Sequence, residues 1–184
     1  GKSNFLLGTI LQDIKHGNGV CVFDVHGDLI STIKRNIPKH RLKDLVYLDI
    51  PNPNLEIGYN PLKKVSYEKR SLVASGILET FQRIYGSAWG TRLEHVLRYI
   101  LLTLTDQPSA KLSDIVRIIH DKEYREQCKK HIINPDVLRF WVKEFDKYGK
   151  ADLVPILSKV GAFLAHPAIK RILIENKDSL SLRK

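Results

Sequence analysis

The chain opens on Gly1-Lys2-Ser3, three residue types that together suit a nucleotide phosphate. The glycine lets the backbone approach the anion, the lysine ammonium contacts the outer phosphates, and the serine hydroxyl can ligate Mg2+. An amphipathic pattern comes immediately after. The triplet therefore stands at an expected helix start, where free amides and the positive end of the helix dipole face an anion. This is the back half of the phosphate-binding motif G-x-x-x-x-G-K-[ST], and it makes Gly1, Lys2 and Ser3 the candidate contacts to ATP, with Ser3 on the magnesium. A tripeptide recurs by chance, so the weight lies in the residues downstream of it.

Asp24-Val25-His26-Gly27-Asp28-Leu29 comes next, where an apolar run ends and a second amphipathic pattern begins. In open α/β sheets ligands bind at the carboxyl ends of strands, and a carboxylate there can hold magnesium or a water. Asp24 stays open between that role and plain turn chemistry, while Asp28 reads as the cap of the next helix. Further on, Trp89-Gly90-Thr91-Arg92-Leu93-Glu94 with Arg98 puts two arginines near one helix start. Arg92 and Arg98 suit DNA phosphates or a neighbouring subunit's nucleotide, and equally an ion pair with Glu94. Cys21 and Cys128 have neither C-x-x-C nor zinc spacing and read as reduced thiols.

The elements that would hold these groups divide the chain in two. In the first part, Leu6, Leu7, Ile10, Leu11 and Ile14 recur at helical spacing, and Gly17 is the expected stop. Val20-Cys21-Val22-Phe23 reads as a buried parallel strand, Leu29 to Ile37 as a helix closed by Pro38, and Leu45 to Ile50 as a second strand. Helix, strand, helix, strand implies an α/β unit with parallel pairing over residues 1–64. Two strands make no stable sheet, so the sheet is expected to be incomplete within these 184 residues. Residues 65–184 read as all-helical. Ser66 to Tyr85 places Val73, Ile77, Phe81 and Ile84 on one face. Thr91 with Glu94 reads as a capping box ahead of Leu93, Val96, Leu97, Ile100 and Leu104. Asn134-Pro135 is a cap with proline at the first helical position, and Leu138, Trp141, Phe145 and Tyr148 share one face beyond it.

Composition fits that division. Apolar residues make up 43% and charged residues 27%, which argues against disorder, and the net charge of +10 suggests a polyanionic partner. The charge is spread along the chain and picks out no site.

The motif string resembles that of the HerA-type and TraG/TraD-like ATPases, the coupling proteins of type IV secretion. Asp24 to Leu29 is similar to their D-P-H-G-D-L, Tyr59-Asn60-Pro61-Leu62 to their N-P-L, and Trp89 to Arg98 to W-G-P-R-x-E-x-x-x-R. Phe140 to Phe145 is similar to F-W-x-x-E-F, and Pro155 to Val160 to P-I-L-N-K-V. The match runs in order along the whole chain, with departures at Val25, Thr91 and Ser158. The resemblance implies an incomplete RecA-like P-loop core of α/β class with an all-α inserted domain. It also implies ATP and Mg2+ as cofactors and an assembly, a hexameric ring, that translocates DNA. Relaxase or secretion-channel proteins would be further partners, at a cytoplasmic location on the inner face of the membrane. Lys2 and Ser3 carry over as the nucleotide contacts, and Asp24 only as their motif neighbour. The acidic Walker B pair and arginine finger are expected beyond Lys184, so residues 1–184 alone are expected to hydrolyse little ATP. Two other functions compete: a HerA-type DNA-processing motor, and a helical nucleic-acid or protein-binding module without catalysis.

Overall fold

The computed structural model describes residues 2–177 and 179–180; the side chains of Lys2 and Ser3 lie outside what is described. The chain forms two units, residues 1–48 and 49–184.

The first unit is two helices and three connecting segments. Helix α1 (Lys2–Lys15) ends where expected: Gly17 takes φ +88°, and the amides of Gly17 and Asn18 bond back to the carbonyls of Ile14 and Asp13. A left-handed residue there costs glycine nothing and closes the last carbonyls. Helix α2 (Asp28–Asn36) packs on α1, with Ile10 and Ile33 the buried hydrophobic residues described in this unit. Pro38 stops α2, since it restricts Ile37 to extended backbone. A 3-10 turn, Lys39–Asp44, comes after it.

The expected α/β class is not what forms. Among the described residues there is no β-strand, so the incomplete RecA-like sheet expected from the sequence is corrected to an all-helical chain. Val20–Phe23 and Leu45–Ile50 run without a ladder partner, and Phe23 and Val46 leave 93% and 60% of their surface in solvent. The physical reason is that a strand is not a local structure. It exists only when a neighbour satisfies its amides and carbonyls and covers its side chains. A four-residue apolar run has no period and predicts none of this.

The second unit is a helical bundle with its own core. Its helices are α3 (Tyr67–Tyr85), α4 (Thr91–Asp106), α5 (Asp114–His120), α6 (Lys122–Lys129), α7 (Pro135–Lys143), α8 (Lys150–Ala165) and the short α9 (Pro167–Lys170). Helix α4 is central and packs on α3, α5, α6, α7 and α8. Val96, Leu97, Ile100, Leu101 and Leu104 are fully enclosed, each contributing about 1.5–3 kcal/mol by burial. Around them lie Phe81, Ile115, Ile118, Phe140, Ile156 and Val160. Asn134 Oδ1 caps α7 by accepting from Asp136 N at 2.8 Å, with Pro135 at the first helical position as expected. The inward face of α7 is Val137, Phe140 and Trp141; Leu138, expected with them, is 39% exposed because it falls roughly a third of a helical turn away from Val137.

Candidate functional site

Helix α1 begins at Lys2, directly behind Gly1, which is where a phosphate-binding loop would hand over to its helix. The placements of Gly1 and of the Lys2 and Ser3 side chains lie outside the described residues. What the backbone offers is a helix start at the expected position, whose first amides have no intrahelical partner. That fits the phosphates of ATP.

Asp24 is committed elsewhere. Its Oδ1 accepts from His26 N at 3.2 Å and its Oδ2 from Ile30 N at 3.1 Å. These bonds, with that from Ile30 foremost, hold the carboxyl below the usual aspartate range. The carboxylate therefore closes its own loop and satisfies an amide in the first turn of α2. Asp28, expected to be the cap, is instead the first helical residue, and the N-cap is Gly27 at φ +84°. The reason is geometric: a left-handed glycine folds the loop back so that the carboxylate four positions before Asp28 reaches Ile30. With both oxygens occupied by amides, Asp24 is a poor magnesium ligand. Among the described residues no group of three or more His, Cys, Asp or Glu side chains comes together around a point.

The arginines near the start of α4 are also engaged. Glu94 is the hub: its Oε1 accepts from Arg98 Nη2 at 2.9 Å and its Oε2 from Trp89 Nε1 at 3.1 Å. Arg98, and after it Trp89, lower the carboxyl below the usual glutamate range. Arg98 Nη1 also reaches Ser75 Oγ on α3 at 3.3 Å. Arg92 Nη1 bonds Asp152 Oδ1 at 2.7 Å, linking the start of α4 to the start of α8, while Asp152 Oδ2 accepts from Gly149 N. Thr91 forms no side-chain cap; Gly90 is the cap residue. The expected capping box fails because Glu94 turns outward to the indole and guanidinium, and the charged guanidinium is a stronger donor than a backbone amide.

The other segments of the motif string serve the bundle. Asn60 Nδ2 donates to Ala110 O at 2.8 Å and its Oδ1 accepts from Leu62 N, which seats buried Leu62. Trp141 Nε1 donates to Thr103 Oγ1 at 2.6 Å, and Phe140 stacks on Tyr99 with centroids 4.5 Å apart. Ile156 and Val160 are enclosed, and Tyr85 Oη donates to Lys159 O. Sequence reasoning misses Arg70 and Asp106, an enclosed cation on α3 and its partner on α4, because nothing in a spacing of 36 residues announces a contact.

Compared with known proteins, the chain matches no family model, no curated protein and no solved structure.

Proposed function

We propose that residues 1–184 belong to an ATP-dependent DNA translocase of the coupling type, in which Lys2 and Ser3 contact Mg-ATP and the helical unit engages the cargo. The observation that carries the reading is the start of α1 at Lys2, immediately behind Gly1. It supplies unpartnered amides and a positive dipole end at the place where the Gly-Lys-Ser order calls for an anion. The ordered motif string adds support, because its later segments fall together in one helical core. No sheet is required for this, and Asp24 has no catalytic role in it. DNA, a ring of identical subunits and a relaxase-type protein are the partners it entails.

The test is equilibrium binding of Mg-ATP to the 184-residue chain and to its Lys2→Ala variant. Loss of the ammonium on the outer phosphates is expected to weaken binding at least about tenfold, the effect of roughly 1.4 kcal/mol. Unchanged affinity, or no binding by the parent chain, overturns the reading.

A second reading has its own support. Both motif arginines are held in ion pairs within the helical unit, and that unit has an independent core. A binding module without nucleotide chemistry needs nothing more. Partner binding by residues 49–184, unaffected by ATP or by Lys2→Ala in the whole chain, favours it.

A further inference from the structure

Residues 34–43 carry Lys34, Arg35, Lys39, His40, Arg41 and Lys43 with no acidic residue among them. In the structure this stretch is the last turn of α2, the bend at Ile37-Pro38 and the turn Lys39–Asp44. Arg41 anchors the turn: its Nη1 donates to Ile14 O at 2.6 Å, its Nη2 to Asn18 O at 3.5 Å, and its Nε pairs with Asp44 at 2.9 Å. The turn is thereby fixed on the C-terminal end of α1, beside Lys15 and His16. Lys15, His16, Lys34, Arg35, Lys39, His40 and Lys43 are all exposed. The carboxylates nearby are occupied, Asp44 by Arg41 and Asp13 by the side-chain amide of Asn18.

Cations at the ends of α1 and α2 complement the helix dipoles, which accounts for Lys15, Lys34 and Arg35. Lys39, His40 and Lys43 serve no α-helix end. They repel their neighbours without a compensating ion pair among the described residues. A concentration of like charge of this kind is stabilised by a polyanion laid across it.

We propose that this cationic face, Lys15 and Lys34 through Lys43, is a contact surface for the phosphate backbone of DNA. The choice of DNA over an anionic lipid surface comes from α2. An interfacial helix sinks an exposed apolar face into the bilayer, whereas α2 turns Ile33 inward and packs on α1. The inference rests on the DNA-translocase reading and names the surface that reading leaves unspecified.

The test is binding of the 184-residue chain to a fluorescent duplex, without nucleotide, across a series of salt concentrations. Arg35→Glu/Lys39→Glu/Lys43→Glu is compared with Lys64→Glu/Lys122→Glu/Lys130→Glu, an equal charge change on exposed lysines of the helical unit. The first triple is expected to weaken binding at least about tenfold at roughly 0.1 M salt. It should also lower the slope of log K against log salt by about two to three, near one per phosphate contact. The second triple is expected to cost less than about threefold under the same counterion relation. The milder Arg35→Gln/Lys39→Gln/Lys43→Gln, checked for retained helicity, should fall in between. Equal losses from the two glutamate triples, or no loss from the first, overturn the face while leaving DNA as the partner. No DNA binding by the parent chain overturns both the face and the DNA-translocase reading. Phosphatidylglycerol vesicles bound more tightly than DNA, and lost with the first triple, reassign the face to a membrane and overturn the DNA contact. Mg-ATP affinity that fails to respond to Lys2→Ala overturns the nucleotide reading alone.

Discussion

Arg70 in the first turn of α3 and Asp106 at the end of α4 form an enclosed ion pair, Nη1 to Oδ1 at 2.5 Å. Asp106 Oδ2 also accepts from Ile133 N at 2.9 Å, so one carboxylate holds α3, α4 and the segment ahead of α7. Arg70 is 8% exposed, and its Nε has no hydrogen-bond partner. Asp106→Asn leaves that guanidinium enclosed without a counter-charge and should cost about 3–5 kcal/mol. Both tryptophans, Trp89 and Trp141, lie in this unit. Urea unfolding followed by their fluorescence therefore reports it directly. Replacing both partners by apolar residues, Arg70→Met with Asp106→Leu, should recover much of the loss. A single variant as stable as the parent would mean that the pair is solvated.

The helices of the second unit are legible in the sequence because their apolar period is set locally. Leu93, Val96, Leu97, Ile100 and Leu104 keep a 3.6-residue repeat and are all buried, and Asn134-Pro135 starts a helix by its own chemistry. Val20–Phe23 misleads because a short apolar run is compatible with burial without producing it; whether it becomes a strand depends on a partner elsewhere in space. Side-chain pairing across helices is equally hidden. Thr91 and Glu94 have capping-box spacing, yet Trp89 and Arg98 outcompete the backbone for the carboxylate. The candidate nucleotide contacts are legible as residue types at a helix start. The Asp24 loop is legible as a loop, but the carboxylate's partner, Ile30, is not.

The Trp141 indole donates to Thr103 Oγ1 inside the bundle, and Thr103 is fully enclosed. Thr103→Val keeps the shape and strands the indole N–H, for an expected loss of about 1–3 kcal/mol. Thr103→Ser keeps the acceptor and removes one methyl, for about 1 kcal/mol. Unfolding curves that rank serine above valine support the hydrogen bond as the operative contact; the reverse ranking makes packing the larger effect.

The two thiols should differ sharply toward a chromogenic disulfide reagent. Cys21 is exposed, whereas Cys128 is 1% exposed, and burial pushes its thiol above the usual range. The nucleophile is the thiolate, so both factors suppress Cys128. One equivalent should react within mixing time at neutral pH, and the second only as the bundle opens. Asp106→Asn should accelerate the second phase and leave the first alone. Two fast equivalents would show that α6 is not seated on the core.

Acid should weaken the bundle through identifiable carboxylates. Glu94 is lowered chiefly by Arg98, and Asp152 chiefly by the hydrogen bond from Arg92. A carboxyl lowered in the folded state stabilises fully above its unfolded value, and the stabilisation disappears as pH falls toward the folded one. Losses should begin below the ordinary glutamate value of 4.5 and continue below the aspartate value of 3.8. Arg92→Gln removes the main support of Asp152 and should flatten the lower part of the profile. Melting temperatures tracked by tryptophan fluorescence between about pH 6 and pH 3 read this directly. A profile unchanged by Arg92→Gln would mean that solvent already screens the pair, whose arginine is 71% exposed.

Gly58 is where the chain after α9 returns to the start of the helical unit. Its carbonyl accepts from the amides of Ser179 and Leu180, its amide donates to Ser179 Oγ, and Asn176 Nδ2 bonds the carbonyls of Leu55 and Ile57. A Cβ on Gly58 would lie 2.4 Å from Lys177 O and 2.8 Å from Asn176 O, both backbone atoms that cannot swing aside. Gly58→Ala should therefore displace the 176–180 segment and leave the α3–α8 core intact. Trypsin should cut after Lys177 faster in the variant, because the bond becomes available without global unfolding. The main unfolding midpoint should move little, since these hydrogen bonds lie outside the apolar cluster. Equal cleavage rates would show that the segment already detaches in the parent chain, and a large drop in the midpoint would make it an integral part of the bundle.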